Sequence, residues 1–159
     1  MSWYSRIKTS QHKNILYVMR GLPGSGKSTK AKELGVGGQV FSTDDFFMVG
    51  DEYKFDIDFI DEAHGWNNMR VKDAIDEGVS PVVLDNTNVE AWHPKKVVEY
   101  AKANGYGVEI IEPETDWAFD PEELAKRNTH QVPQVDIQGK LDKWHPNLTV
   151  DDILNSEEP

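Results

Sequence analysis

The sequence of 159 residues contains no cysteine and no long apolar segment. The absence of cysteine excludes a disulfide framework, a thiolate zinc site and a cysteine nucleophile, and it gives no sign of an oxidising compartment. No apolar run approaches the ~18 residues needed to span a bilayer, and the first residues lack the apolar centre of a signal peptide. We therefore expect a soluble protein of the cytoplasm or nucleus that is neither secreted nor bound to a membrane.

Basic residues are scarce relative to acidic ones. The chain has 17 Lys and Arg residues against 28 Asp and Glu residues, which gives a formal net charge of -11. Because affinity for nucleic acid comes largely from Lys and Arg that neutralise phosphates, such a chain binds polynucleotides weakly unless its basic residues are gathered in one groove. Binding of a nucleoside triphosphate meets no such objection, because loop amides, one lysine and Mg²⁺ act locally.

The length and composition suit one globular domain. With 38% hydrophobic and 28% charged residues the chain can form a core with a solvated surface, and 159 residues are too few for two comfortable domains. No repeat and no linker rich in Gly, Ser or Pro divides it. We expect a single domain over residues 14–159, preceded by an extension over 1–13. The extension mixes aromatic and basic residues, so contact with a nucleic acid is its alternative interpretation.

A glycine-rich stretch carries the strongest motif of the chain. It reads Gly21-Leu22-Pro23-Gly24-Ser25-Gly26-Lys27-Ser28-Thr29 and fits the phosphate-binding loop pattern G-x-x-x-x-G-K-[ST]. In that pattern backbone N–H groups surround phosphates, the lysine reaches the β- and γ-phosphates, and the hydroxyl binds Mg²⁺. A predicted strand over residues 15–19 precedes the loop and a predicted helix over 27–34 follows it, which is the required order. A surface turn is the weaker alternative.

Two further predicted strands end in acidic residues. Residues 39–43 lead into Asp44 and Asp45, and the buried-type run 81–85 ends in Asp85. Side chains at the carboxyl ends of parallel strands face the binding edge of an open α/β sheet. Asp85 has the position of the aspartate that holds Mg²⁺ or its water. Asp44 could orient or deprotonate an acceptor hydroxyl, although either Asp44 or Asp45 could instead cap the next helix.

A long helical pattern over residues 58–77 carries polar side chains on its apolar face. The apolar stripe consists of Ile60, Ala63, Val71, Ala74 and Ile75. His64 and Asn67 fall on this stripe, so we expect both to point into the interior, where they need hydrogen-bond partners. A core histidine is the favoured interpretation of His64, with a substrate contact as the alternative.

Two arginines are placed to contact phosphates. Arg70, beside the stripe, could bind an acceptor phosphate or pair with Asp73 or Glu77 of its own helix. Arg127 lies near the end of a helix that starts after the N-cap Asp120, and it is the best candidate for stabilising developing charge. A lid that closes over phosphates and a solvated helix end explain this basic segment equally well.

Predicted strands alternate with predicted helices along the chain. Further patterns predict a helix over residues 92–104, a fourth strand over 108–111, a helix over 134–144 and a short helix capped at Leu148-Thr149. Alternation of this kind predicts an α/β fold with a mainly parallel four-stranded sheet, right-handed crossovers, helices on both faces and a helical lid. The candidate site residues then meet at the carboxyl edge of the sheet.

Six short motifs occur in order between about residues 14 and 145. They are Arg20-Gly21-Leu22-Pro23-Gly24-Ser25-Gly26-Lys27-Ser28-Thr29, Ser42-Thr43-Asp44-Asp45-Phe46-Phe47, Glu62-Ala63-His64-Gly65-Trp66-Asn67, Leu84-Asp85-Asn86-Thr87-Asn88, Glu112-Pro113 and Glu123-Leu124-Ala125-Lys126-Arg127-Asn128. The set resembles the polynucleotide-kinase branch of small P-loop kinases. It is most similar to the kinase domain of the Nedd-four-binding protein family and more distantly to bacteriophage 5′-hydroxyl polynucleotide kinase.

The resemblance implies the P-loop kinase fold, the use of ATP and Mg²⁺, and transfer of the γ-phosphate to a 5′-hydroxyl of DNA or RNA. It further implies that Asp44 is the base and Arg127 the lid arginine, beside the catalytic Lys27. The candidate metal ligands are Ser28 and Asp85. The candidate nucleotide-binding residues are Gly21, Pro23, Gly24, Ser25, Gly26, Lys27, Ser28 and Thr29.

The acceptor stays open at this point. Phe47 stands where we expect the acceptor-binding arginine of the phage enzyme, and Gln131 lies near the place of its second lid arginine. Arg70 or Thr87 could bind a polynucleotide instead. The chain could also phosphorylate a small-molecule hydroxyl, which the net charge favours, or it could bind ATP with little turnover.

Overall fold

The computed structural model describes residues 14–159, so the expectations for residues 1–13 lie outside the described residues. The strands are β1 (Ile15–Met19), β2 (Gln39–Phe41), β3 (Met48–Val49), β4 (Glu52–Tyr53), β5 (Val82–Asp85) and β6 (Gly107–Ile111). The α-helices are α1 (Lys27–Leu34), α2 (Ile60–Asp76), α3 (Lys95–Ala103), α4 (Pro121–Arg127), α5 (Gln134–Asp142) and α6 (Val150–Leu154). Two 3-10 helices, Thr43–Phe47 and Ile57–Phe59, precede β3 and α2.

Four parallel strands form the main sheet in the order β2-β5-β1-β6. All four residues of β5 are buried, because the strand is covered on both faces and has a neighbour on each side. In the register Met19 lies beside Asp85 on one side and Ile111 on the other. The loops that follow β2, β5 and β1 therefore lie in a row at one edge of the sheet, and the predicted α/β architecture is confirmed.

Apolar side chains cover the two faces of this sheet with different helices. The larger core joins strand residues to α2, α3 and α6, and it includes Leu16, Val18, Phe41, Val71, Ile75, Val82, Leu84, Val97, Val98 and Ile153. The opposite face is packed by α1, where buried Ala31 meets Met19 and Val83. Helices on both faces were predicted, and this arrangement confirms them.

Helices α4 and α5 form a separate apolar cluster on the phosphate-binding loop. Leu22 of the loop, Leu124 of α4 and Ile137 of α5 are all fully buried in this cluster. Trp117 and Trp144 pack against it. Helix α4, for which a lid was one of the two expected roles, is thus attached to the loop itself through an apolar contact that α5 shares.

The end of β2 and the start of α3 differ from the predictions because local turns form at both places. β2 ends at Phe41, two residues earlier than expected, since Ser42 begins a 3-10 helix by accepting a hydrogen bond from the Asp44 N–H at 3.2 Å. Ser42 is therefore the cap, rather than Asp44 or Asp45. Helix α3 begins at Lys95, because residues 91–94 form a turn and Pro94 is its N-cap.

The antiparallel pair β3–β4 was not predicted from the sequence. Its strands have two residues each, with Met48 paired to Tyr53 and Val49 to Glu52. Strands this short show no alternation that a periodicity argument could detect. Within residues 14–159, no helix has both the length and the apolar character needed to cross a bilayer.

Candidate active site

The phosphate-binding loop connects β1 to α1 and is fixed by contacts from two sides. Gly24 and Gly26 have φ angles of 84° and 95°, a region that favours glycine. On one side the Gly21 N–H donates to the carbonyl oxygen of Thr87 at 3.2 Å. On the other side Trp117 Nε1 donates to the Gly24 carbonyl at 3.0 Å, and Thr115 Oγ1 donates to the Ser25 carbonyl at 2.8 Å. The loop is therefore held in shape before any ligand binds.

Lys27, Ser28 and Asp85 form one hydrogen-bonded group at the start of α1. Lys27 Nζ lies 3.0 Å from Asp85 Oδ1, and Ser28 Oγ donates to Asp85 Oδ2 at 3.0 Å. The Asp85 residue is 6% exposed, so this carboxylate depends on these two partners for its hydrogen bonds. The structure thus brings together the predicted lysine and the two predicted metal ligands.

The donor set of this group suits Mg²⁺. A carboxylate and a hydroxyl are the hard oxygen ligands that Mg²⁺ takes together with water and substrate phosphates. Ser25 Oγ in the same loop is buried and has no hydrogen-bond partner among the described residues. An unsatisfied buried hydroxyl of this kind is a polar position that a bound phosphate can satisfy. The residues present therefore fit a magnesium nucleotide, with Ser28 and Asp85 as its protein contacts.

Residues 85–88 connect the phosphate-binding loop to the segment that carries Asp44. Asn86 Oδ1 accepts from the backbone N–H of Thr43 at 3.0 Å, on the β2 side. Asn88, buried at a φ of 45°, donates through Nδ2 to the Met19 carbonyl at 2.8 Å, on the β1 side. Asparagine tolerates this left-handed conformation better than most residues. Asn86 and Asn88 directly follow a buried strand in the sequence, and this position is the signal that could have identified them.

Asp44 accepts a hydrogen bond from one side chain and lies beside a second. Tyr53 Oη donates to Asp44 Oδ1 at 2.9 Å, and His130 Nδ1 lies 3.2 Å from Asp44 Oδ2. The Tyr53 and His130 rings stack with a centroid distance of 3.9 Å. Burial, and then the charge of Asp44, raise the pKa of Tyr53, which stays protonated and able to donate. The carboxylate keeps 45% of its side-chain surface exposed, so an acceptor can reach it.

His64 lies beside the segment that carries Asp44, and the expectation of a core histidine was wrong. Its residue surface is exposed, and its Nδ1 lies 3.0 Å from Thr43 Oγ1. Desolvation by the surrounding protein lowers the pKa of His64, against the opposing charges of nearby Asp61 and Asp44. On helix α2 the buried stripe passes through Ala63 and Asn67. His64 follows Ala63 by one position, so its side chain is turned by about 100° away from that stripe. Asn67 is fully buried, as expected.

Arg70 faces the same segment and contacts the residue after Asp44. Its Nη2 donates to Asp45 Oδ2 at 2.9 Å and to Asn67 Oδ1 at 2.8 Å, and its guanidinium stacks on the Trp66 ring at 4.0 Å. The structure therefore pairs Arg70 with Asp45 and not with the two acids of its own helix that the sequence suggested. Its Nε is buried and has no hydrogen-bond partner among the described residues.

Arg127 lies beside the phosphate-binding loop at the end of α4. Its Nε donates to Glu123 Oε1 at 2.8 Å, and its guanidinium stacks on Trp117 at 3.6 Å. The same Trp117 donates to the Gly24 carbonyl, so its ring links the Arg127 guanidinium to the loop. Because the pair with Glu123 is exposed, it contributes at most about 1 kcal/mol and opposes a rotation towards the phosphates only weakly.

A cavity of about 460 Å³ opens between the start of α1 and the segment after β6. Gly26, Thr29 and Lys30 line one side, and residues 110–115 line the other. Its volume is within the range of small-ligand sites. Gly26 and Thr29 belong to the phosphate-binding loop pattern, so the cavity adjoins that loop.

Comparison with known proteins places the chain among P-loop kinases. The family model described as AAA domain (AAA_33) matches residues 16–145. The chain belongs to this family. It is 41% identical over 157 residues to human NEDD4-binding protein 2, covering 97% of this chain and 9% of that protein. It is 29% identical over 150 residues to mouse 2′,3′-cyclic-nucleotide 3′-phosphodiesterase, covering 91% of this chain and 34% of that protein.

Two solved structures share the fold of this P-loop kinase domain. The Pnkp1/Rnl/Hen1 RNA repair complex contains a chain with a TM-score of 0.64 and 20% identity, matched over 82% of this chain and 43% of that one. A gluconokinase from Sinorhizobium meliloti 1021 has a TM-score of 0.57 and 16% identity, matched over 88% and 87%. The resemblance that the ordered motifs indicated is thereby confirmed. Because the chain spans a small part of its curated relatives, their whole activities do not transfer to it.

Proposed function

We propose that this domain is an ATP-dependent 5′-hydroxyl polynucleotide kinase. One observation carries the proposal: the Lys27–Asp85–Ser28 group and the exposed carboxylate of Asp44 lie on neighbouring strand-end loops, joined through the Thr43–Asn86 hydrogen bond. A phosphate donor site and a base on adjacent loops are the parts that transfer to a hydroxyl requires. The relationship to polynucleotide kinases supports a nucleic-acid acceptor.

The proposed reaction requires only ATP, the acceptor hydroxyl and residues of this site. The acceptor hydroxyl gives its proton to Asp44, its oxygen forms a bond to the γ-phosphorus, and the bond from that phosphorus to the β,γ-bridging oxygen breaks to release ADP. Lys27 and the loop N–H groups stabilise charge on the phosphates, and Arg127 is the nearby arginine that can rotate to the transferred group. Ser28 and Asp85 would hold Mg²⁺, which when bound would supply further neutralisation of phosphate charge. Arg70 and Thr87 are the proposed contacts to the acceptor strand.

Transfer of a labelled γ-phosphate from ATP to 5′-hydroxyl oligonucleotides of DNA and RNA tests the proposal. Asp44→Asn keeps the shape of the side chain but removes the base, so kcat is expected to fall about 10²- to 10⁴-fold while ATP binding persists. Lys27→Ala is expected to lose both phosphate transfer and ATP binding. Asp51→Asn, an exposed change in the β3–β4 turn, is the control. Absence of transfer to any oligonucleotide by the wild-type protein contradicts the proposal.

A small-molecule hydroxyl is the second candidate acceptor. The net charge of -11 disfavours polyanions, and the gluconokinase matches this chain over nearly its whole length. A panel of sugars, sugar acids and nucleosides, with ADP release as the measurement, distinguishes this acceptor class. A third possibility, an ATP-binding module with little turnover, is supported only if Lys27→Ala and the wild type hydrolyse ATP equally. For either kinase we propose a cytoplasmic or nuclear setting, where ATP is available.

A further inference from the structure

Aromatic side chains surround the 3-10 helix that carries Asp44. At their centre is Phe47, which is 4% exposed and therefore cannot itself contact an acceptor. Its ring packs edge-on against Phe46 at 5.3 Å, against Phe55 at 5.0 Å and against Tyr53 at 6.2 Å. Phe46 in turn packs against Trp66 at 5.6 Å. We call the four outer rings, Phe46, Tyr53, Phe55 and Trp66, the aromatic surface.

The aromatic surface is open to solvent at two of its four rings. Phe55 is 49% exposed and Trp66 is 37% exposed, whereas the other two are half-buried. Additional exposed apolar side chains adjoin these rings in the sequence, namely Met48, Val49, Ile57 and Phe59. Single exposed apolar residues are common, but a run of them beside a candidate site indicates a binding surface.

A direct hydrogen bond links this surface to the proposed base. Tyr53, one of the four rings, donates to Asp44 at 2.9 Å. A hydroxyl group positioned for proton transfer to Asp44 must approach within hydrogen-bond distance of that carboxylate. The nucleoside that bears the hydroxyl then lies within reach of the rings around it.

Apart from the proposed contact of Arg70, whose charge Asp45 partly neutralises, the charges near the surface leave little basic attraction for a phosphate backbone. Arg70 is paired with Asp45 at 2.9 Å and covers one face of Trp66, and Lys54 is paired with Glu52 at 3.4 Å. The whole chain carries a net charge of -11. Affinity for an acceptor strand must therefore come from a source other than counterion release. Stacking of bases on aromatic rings is such a source, and it tolerates any sequence.

We propose that the aromatic surface stacks the nucleobases at the 5′ end of a single-stranded acceptor. This inference rests on the proposed kinase function and names the form of its substrate. A single strand is the occupant because its bases offer free faces, whereas all internal faces of a duplex are already stacked. Trp66 and Phe55 are the binding residues, and Phe47 is the buried ring against which Phe46, Tyr53 and Phe55 pack.

Binding of a fluorescently labelled 5′-hydroxyl oligonucleotide to the full chain, with a non-hydrolysable ATP analogue present, tests the inference without requiring turnover. Trp66→Ala and Phe55→Ala are each expected to weaken binding about 5- to 100-fold, the range of one lost base stack. Trp66→Phe should restore much of the affinity. Met69→Ala, an exposed apolar residue of the same helix, is the matched control. In kinetic assays the same alanine variants should raise KM for the oligonucleotide and leave kcat and KM for ATP unchanged.

Changes in the ligand provide a second test that does not depend on the folding of a variant. An oligonucleotide with abasic sites at its first two positions should bind the wild-type protein as weakly as Trp66→Ala binds the intact strand, and a blunt duplex should bind weakly too. Between about 50 and about 200 mM salt, affinity should change far less than the 10³- to 10⁵-fold loss of a protein that makes many phosphate contacts.

The outcomes separate this inference from the proposed function. Equal binding of intact and abasic strands, tighter binding of duplex, or no binding of oligonucleotides overturns the inference. If the wild type phosphorylates oligonucleotides but the alanine variants keep the same KM, the kinase assignment stands and the stacking surface is wrong. If strands bind by stacking but no phosphate is transferred, the surface stands and the kinase assignment is wrong.

Discussion

Tyr53 and His130 engage both carboxylate oxygens of Asp44, and this contact determines how the proposed base is oriented. Tyr53→Phe removes one hydrogen bond but keeps the ring that stacks on His130. Because hydrogen bonds to charged groups contribute about 1.5 kcal/mol or more, we expect kcat to fall about tenfold, with KM for ATP unchanged. Steady-state kinetics at saturating oligonucleotide measure this effect.

A second tyrosine–aspartate pair provides the control for that prediction. Tyr100 of α3 donates to Asp76, the last residue of α2, at an exposed position. Tyr100→Phe should leave kcat unchanged, because its partner takes no part in the site. An equal loss of kcat in the two variants would mean that removal of a tyrosine hydroxyl acts through stability and not through Asp44.

At the scale of residues, the sequence identified those contacts that a fixed spacing determines. The loop pattern places Lys27 and Ser28 at the start of a helix, and the strand-end position of Asp85 brings it beside them, as the structure has it. The partners of Asp44 could not be found this way. Tyr53 belongs to a strand of two residues, and His130 lies 86 positions from Asp44 in a segment without a motif. Their meeting depends on tertiary packing.

At the scale of elements, Gly24 determines how closely α4 approaches the phosphate-binding loop. A Cβ atom at Gly24 would lie 2.8 Å from the Leu124 carbonyl oxygen and 2.9 Å from the Asn128 nitrogen, both backbone atoms of the α4 segment. The helix itself would have to move. We expect Gly24→Ala to raise the Kd for ATP about tenfold or more, the equivalent of ~1.4 kcal/mol, as measured by calorimetry.

Gly37 is the matched control, because it has nearly the same backbone conformation without the contact. Its φ is 87°, and no described atom lies within 4 Å of a Cβ added there. Gly37→Ala should therefore lose about 1 to 2 kcal/mol of stability from the left-handed conformation alone and bind ATP normally. If the two variants bind ATP equally, the contact between α4 and the loop has no role in nucleotide binding.

The capping signals show why some elements were predicted well. Asp120 accepts from the backbone N–H groups of Glu122 and Glu123, and Thr149 forms a capping box with Asp152, both as the sequence indicated. These bonds join residues two or three positions apart, so the sequence contains all the information needed. The 3-10 helix after β2 also has a local cap in Ser42, but the preceding β-type residues suggested a longer strand.

At the scale of the whole molecule, alternation of strands and helices predicted a parallel sheet but not its strand order. The order β2-β5-β1-β6 depends on which crossovers pack best and has no local sequence signal. It decides that the loops bearing Asp44, Asp85 and Lys27 are neighbours. The extent of one domain over residues 14–159 stays a prediction.

Arg20 ties together four segments that are distant in the sequence. Fully buried, it donates through Nε to the Asn88 carbonyl and through Nη2 to the Val89 carbonyl, both at 2.8 Å. Its Nη1 pairs with Glu112 at 3.0 Å, and its guanidinium stacks on Trp144 at 4.1 Å. Burial lowers the pKa of Arg20, and the charge of Glu112 opposes that shift. The end of β1, the loop after β5, the end of β6 and the segment after α5 thus share one side chain.

Replacement of this arginine is expected to affect the whole fold. Arg20→Met fills similar space but leaves two carbonyl groups and Glu112 without their partner, so the free energy of unfolding should fall by about 3 to 5 kcal/mol. Urea unfolding followed by tryptophan fluorescence and by circular dichroism measures this loss. We also expect the two probes to separate in the variant, since Trp144 loses its connection to the sheet.

Lys30→Met is the control for the loss of one positive charge. Lys30 forms an exposed pair with Glu33 at 3.8 Å, and exposed pairs contribute at most about 1 kcal/mol. A variant of Arg20 that unfolds at the same urea concentration as Lys30→Met would show that the buried network carries no more free energy than a surface pair. The helices on the phosphate-binding loop would then be held mainly by the apolar contact of Leu22 and by the hydrogen bonds of Trp117 and Thr115 to the loop.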